Sequence, residues 1–153
     1  MIVYRLTRKK YLRTLSGKGA AKKGARWNSP GTELIYTAQN RSLAMAEIAV
    51  HFSISTLPSD YYMVEVEIPD SLKIKKVHIS KLPKDWKEWN PYSKRTQSIG
   101  DNFVVENKFC LMQVPSAVTK DDFNILINPK HTDFKNVKIK IKTPFPFDDR
   151  IFK

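Results

Sequence analysis

The segments MVEVEI (63–68) and VKIKIK (137–142) alternate apolar and charged residues. A period of two is the pattern of a β-strand with one face buried, so the chain must build a sheet against a core. The lysines of the second run also suit solubility and the protection of a sheet edge. Shorter strand-like runs fall at 2–6, 34–37, 72–79, 103–105, 111–114 and 125–127, with strands over 62–68 and 137–141 from the alternating segments. Proline or Asn/Asp clusters separate most of them.

One confident helix is expected over 42–52, with a second helical piece between 8 and 15 and a short one around 84–89. The segment 85–102, rich in Trp, Asn, Pro and Gly, reads as an ordered irregular connection. One strong helix among many short strands, without regular helix–strand alternation, predicts an α+β fold and argues against a doubly wound parallel sheet. The 153 residues suit a single domain over 1–153, and 41% hydrophobic with 11% aromatic residues belongs to a chain with a real core.

Several function classes fall away on composition. No run approaches the roughly 18 apolar residues of a membrane span, and the N-terminus lacks the apolar centre of a secretory signal, so a soluble cytoplasmic protein is expected. The acid-free first 32 residues also resemble a transit peptide in composition, but Ile2-Val3-Tyr4 starts like a strand and Arg26-Trp27 reads as structural. The single Cys110, between Phe109 and Leu111, is expected as a small core residue. The net charge of +12 calls for an anionic ligand or partner. Nucleic acid, bound or cleaved as RNA, is one candidate, although no RNA-recognition signature is present.

The helix over 42–52 is apolar almost all round, yet it keeps Glu47 and His51 one turn apart on one face. Two readings stand: the pair lines a polar pocket, or it is a weak surface pair on the solvent side. Upstream, Arg26 in GARWN can clamp a phosphate or stack on Trp27. Tyr36 in LIYTA can offer a ring to a flat ligand or sit in the core. Downstream, Ser116 in QVPSAV lacks the G-x-S-x-G elbow of a serine hydrolase and reads as a ligand-binding or turn-capping hydroxyl. No HExxH or Cys/His cluster supplies metal ligands. No G-x-G-x-x-G is present, which excludes a dinucleotide fingerprint.

The blocks YRLTRKKY, LSGKGAAKKGARWNSPGTELIYTAQNRSLAMAEIAVH, LPSDY, LPKDW, TQSIGDNFV, LMQVPSAV, NILINPKH and PFPFDDRIF, in that order, cover essentially the whole chain. Together they resemble the RES domain family of bacterial toxins, named for its Arg, Glu and Ser. The resemblance implies a fold like that of the ADP-ribosyltransferase toxins, with short strands forming a split β core around an NAD cleft. It places the family's Arg on Arg26, its Tyr on Tyr36, its Glu on Glu47 and its Ser on Ser116, with His51 and Asn124 at further matching positions. The implied catalytic residues are Glu47, Arg26 and Tyr36. Arg26, Tyr36, Ser116, His51 and Asn124 are the implied NAD-binding residues. Gly24-Ala25 stands where the family often has a glycine pair.

The implied activity is cleavage of the nicotinamide–ribose bond by hydrolysis or phosphorolysis, or ADP-ribosylation of a protein. NAD is then a substrate, with inorganic phosphate a co-substrate in the phosphorolytic case. The implied partner is an Xre-type helix-turn-helix antitoxin covering the active site.

Overall fold

The computed structural model describes residues 1–152. Its strands are β1 (Ile2–Arg8), β2 (Ile35–Ala38), β3 (Tyr61–Glu67), β4 (Ile74–Lys76), β5 (Leu111–Pro115), β6 (Phe123–Ile127) and β7 (Lys138–Pro144). They form a 7-stranded sheet in the order β4-β5-β6-β2-β1-β3-β7. Only β4 and β5 pair in parallel, and the remaining pairings are antiparallel. The helices are α1 (Lys18–Lys23), α2 (Arg41–Ala49) and α3 (Lys94–Glu106). This is the expected α+β class, with few helices and mostly antiparallel strands.

The sheet is knitted firmly in two halves and loosely between them. β1 and β3 pair continuously from Ile2–Glu67 to Arg8–Tyr61, and β2 pairs with β6 from Ile35–Ile127 to Ala38–Asn124. β1 and β2, in contrast, share the single pair Tyr4–Ala38. The expected split core is this seam.

One face of the sheet is covered without a break by a cluster that includes Val3, Ile35, Val64, Val66, Leu111, Ile125 and Ile127. The other face is covered in two pieces. α2 brings Leu43 and Ala44 onto Leu6, Ala38, Tyr61 and Met63. α3 brings Phe103 into a cluster with Trp27, Trp86, Met112, Val114 and Leu126. Burying the large side chains contributes about 1.5–3 kcal/mol each; the α3 cover sits on β5 and β6, while the α2 cover sits on β1 and β3 and reaches Ala38 at the end of β2. The uncovered strip between them lies over the β1–β2 seam.

Several expectations are corrected here. Of the segment read as an irregular connection, 85–93 are irregular as expected, but 94–102 and the strand expected over 103–105 belong to the 13-residue α3. Its buried face carries Thr96, Gly100 and Phe103, so only one large apolar residue marks the inward side, and hydrophobic periodicity has little to register. The helix expected over 42–52 ends at Ala49; Leu43 and Ala44 are buried, 45–49 are half-buried, and Val50 beyond its end is 60% exposed. The piece expected over 8–15 shrinks to a 3-10 turn at Lys9–Tyr11, α1 was not anticipated, and 84–89 forms turns. The strand expected over 72–79 keeps three residues, because only Ile74, Lys75 and Lys76 find partners on β5. On β7 the alternation outruns the core: Val137 beside it is buried but Ile141 is 45% exposed, as an edge strand allows. Cys110 is buried in the core as expected.

Candidate active site

The strip over the seam is a cleft of about 640 Å³. Tyr4, Arg5 and Leu6 of β1 and Tyr36, Thr37 and Ala38 of β2 line it, with Glu47 and Ile48 from α2 and Arg26 from the loop after α1. Of the six residues singled out in the sequence, Arg26, Tyr36, Glu47, His51 and Asn124 are on its wall. Ser116 is not: it is 4% exposed and lies behind Glu47.

Ser116 follows Pro115 at the end of β5, where the chain turns sharply enough for Val118 N–H and Thr119 N–H to donate to its Oγ at 3.0 and 3.1 Å. With its lone pairs so engaged, the hydroxyl donates its proton to Glu47 Oε1 at 2.8 Å. Glu47 is half-buried on the cleft side of α2, whose start is set by the Asn40 side chain accepting from Leu43 N–H at 2.8 Å. His51 lies beyond the last helical residue and is exposed. No ion pair joins it to Glu47 among the described residues, so the surface-pair reading is not realised.

Arg26 is held by a loop that three elements lock in place. Gly24 ends α1 at φ +76°, where a Cβ would strike Pro30 at 2.9 Å. Asn28 is fully buried and donates through Nδ2 to the carbonyls of Ala20 (2.9 Å), Ser29 (3.2 Å) and Thr32 (3.0 Å). α3 clasps the other side: Gln97 donates to Ala25 O at 3.0 Å, and Asp101 accepts from Ser29 N–H at 3.0 Å and from the Ser29 hydroxyl.

The Arg26 guanidinium donates through Nη1 to Trp86 O (2.6 Å) and Glu88 O (2.8 Å) and lies over the Tyr92 ring at 5.4 Å. It therefore fastens the 86–92 loop to the cleft wall. Its Nη2 and Nε donate to nothing among the described residues, which leaves part of the fork for a ligand. Burial depresses its pKa, an effect opposed first by Tyr92 and then by the Glu47 carboxylate.

Tyr36 combines both readings made of it. Its hydroxyl is pinned, donating to Asn28 Oδ1 at 2.6 Å and accepting from Trp27 N–H at 3.0 Å, while its ring is on the cleft wall. Burial raises the phenol well above its ordinary pKa. Asn124 donates to Thr37 O at 3.3 Å across the β2–β6 pair.

Sequence reading missed Arg5, Asn28 and the 86–92 loop with Lys87, Trp89 and Tyr92. Arg5 forms part of the wall at the seam, donates only to Ser16 O at 3.3 Å, and has no carboxylate partner within 4 Å among the described residues. Burial lowers its pKa. On β1 it alternates with Tyr4 and Leu6, which face the cleft side, and shares the parity of Val3, so its half-buried guanidinium is turned toward Ser16 on the other face. Arg26 and Lys87 on the wall outnumber Glu47, so the cleft favours an anion that carries one locally positive group. No group of three or more His, Cys, Asp or Glu side chains comes together among the described residues. None of the described helices is long and apolar enough to cross a membrane.

Comparison with known proteins agrees with this architecture. The RES domain family model matches residues 2–148. The "Prs ADP-ribosylating toxin" of Sphingobium sp. (strain YBL2) is 33% identical over 141 residues, covering 91% of this chain and 87% of that protein. "Toxin Res" of Photorhabdus laumondii is 35% identical over 155 residues, covering 100% and 98%. Among solved structures, the crystal structure of the M. tuberculosis MbcT–MbcA toxin–antitoxin complex superposes with a TM-score of 0.76 at 17% identity, covering 99% of this chain and 86% of that chain.

Proposed function

This chain belongs to the RES domain family, and from that premise we propose that it is the toxin of a toxin–antitoxin module and consumes NAD by breaking the nicotinamide–ribose bond. The observation that carries the reading is the Glu47 carboxylate, held through Oε1 by the buried Ser116 hydroxyl, on the wall of a cleft that also carries the cations Arg26 and Lys87 and several aromatic rings. Nicotinamide leaves with the electron pair of the glycosidic bond, which neutralises its ring nitrogen, and positive charge develops on the ribose. A fixed carboxylate stabilises that charge without reorganising at the moment of reaction.

The free donors of Arg26 suit the diphosphate. The Tyr36 ring packs on nicotinamide, and Asn124 and His51 supply polar contacts to the sugar. Ser116 serves this chemistry through Glu47. Water or inorganic phosphate accepts the ribosyl group. The partner in this reading is a helix-turn-helix antitoxin that covers the cleft, and the net charge of +12 suits an acidic docking face.

The test is NAD loss and product identity by mass spectrometry, for wild type and Glu47→Gln, with and without phosphate. Nicotinamide release should fall at least about 100-fold in the variant. A phosphorylated ADP-ribose formed only with phosphate would name the acceptor. Intact NAD with folded, antitoxin-free wild type would sink the proposal. A second reading, in which a protein accepts the ADP-ribose, is favoured by the name of the Sphingobium relative. Labelled NAD incubated with a cell lysate leaves label on a polypeptide only in that case.

A further inference from the structure

Five aromatic side chains line the cleft: Tyr4, Trp27, Tyr36, Trp89 and Tyr92. Four have a partner. Tyr4 lies under Arg41 and Tyr92 under Arg26, Trp27 packs on Trp86 at 6.5 Å between centroids, and Tyr36 is pinned by its hydroxyl. Trp89 has neither a ring or cation partner nor a side-chain hydrogen bond among the described residues, and it is 64% exposed. A large apolar ring left open to water on a cleft wall is a surface awaiting a flat apolar face.

Its loop is held in place. Arg26 bonds to Trp86 O and Glu88 O, and Trp89 bridges Tyr92, so the ring is presented by a braced turn. Lys87 and Arg26 share this side of the cleft, an arrangement of cations beside an aromatic platform that suits a phosphate followed by a base.

We propose that Trp89 is the stacking platform for the adenine base of the dinucleotide. This rests on the NAD-consuming reading above. Charge decides which end of NAD lies here: the nicotinamide ring is cationic, and Lys87 disfavours it, whereas neutral adenine stacks on tryptophan at no such cost. The cationic ring belongs at Glu47. Trp89 thus fixes the substrate's base, and its effect falls on binding.

The test is isothermal titration of ADP and of inorganic pyrophosphate into wild type, Trp89→Ala and Trp89→Phe, with urea unfolding to certify each fold. ADP affinity should fall roughly tenfold or more in Trp89→Ala and return to within about threefold of wild type in Trp89→Phe, with pyrophosphate unchanged. In turnover, KM for NAD should rise by the same factor at unchanged kcat. Equal loss for ADP and pyrophosphate, or no loss for either, would overturn the proposal. If wild type leaves NAD intact, the activity reading fails, and the ADP and pyrophosphate titrations still decide the stacking.

Discussion

Replacing Gly100 by alanine sets two effects of opposite sign against each other. In a helix interior alanine is favoured over glycine by about 1 kcal/mol. At this position, however, an added Cβ would meet the Trp27 carbonyl oxygen at 1.5 Å and its carbon at 2.7 Å, with Leu34 Cδ1 at 3.1 Å. A relaxed C···O approach is about 3.3 Å, so α3 and the loop carrying Arg26 must separate by roughly 2 Å. The nearest obstacle is backbone, and no rotamer change relieves it.

At that separation Asp101 loses its bonds from the Ser29 N–H and hydroxyl, and Gln97 loses Ala25 O. Bonds to a carboxylate are each worth about 1.5–3 kcal/mol and a neutral one about 1 kcal/mol. Allowing for partial recovery by water and for the propensity gain, Gly100→Ala should cost about 3–5 kcal/mol. With a urea slope of about 1–3 kcal/mol/M, the unfolding midpoint should drop by on the order of 1–5 M. NAD turnover should fall as well, because the loop that moves carries Arg26. Gly19→Ala is the control: no atom lies within 4 Å of its added Cβ, so it should be neutral or stabilising by up to about 1 kcal/mol. A Gly100→Ala protein as stable as wild type, with activity intact, would refute the reasoning.

Ser116→Ala removes the donor to Glu47 and should lower stability by about 2 kcal/mol and kcat by roughly tenfold or more, at unchanged KM for NAD. A raised KM at unchanged kcat would instead mean that the hydroxyl touches substrate. Burial pushes the Cys110 thiol up to about 11 from 9.0, so the native protein should resist a thiol reagent at neutral pH and react on unfolding. Between those two values the unfolded chain gives up a proton that the folded chain keeps. Stability relative to Cys110→Ala should therefore fall as pH rises through that window, measured as urea midpoints. Midpoints that track each other at every pH would contradict this.

The strands were legible because alternation is a local property: MVEVEI reports its buried face whatever it pairs with. α3 was not, because its inward face is built around a residue with no side chain, and Gly100 carries meaning only through the Trp27 carbonyl lying against it. The same divide runs through the site. Glu47 stood out as a carboxylate on an apolar helix, and Arg26, Tyr36 and Asn124 through the resemblance of whole blocks.

What the sequence by itself determined was the α+β class, the seven strands (with one false run at 103–105) and most of the chemical groups, since periodicity and residue type act over a few positions. Only the tertiary structure decided that β1 and β2 part after one pair and open a cleft, and that Ser116 reaches Glu47 across 69 residues of chain from behind the wall. It also decided that Arg5 is left without a counter-charge beside the cleft. Those facts depend on which backbone passes which, and the long-range contacts that set it leave no period to read.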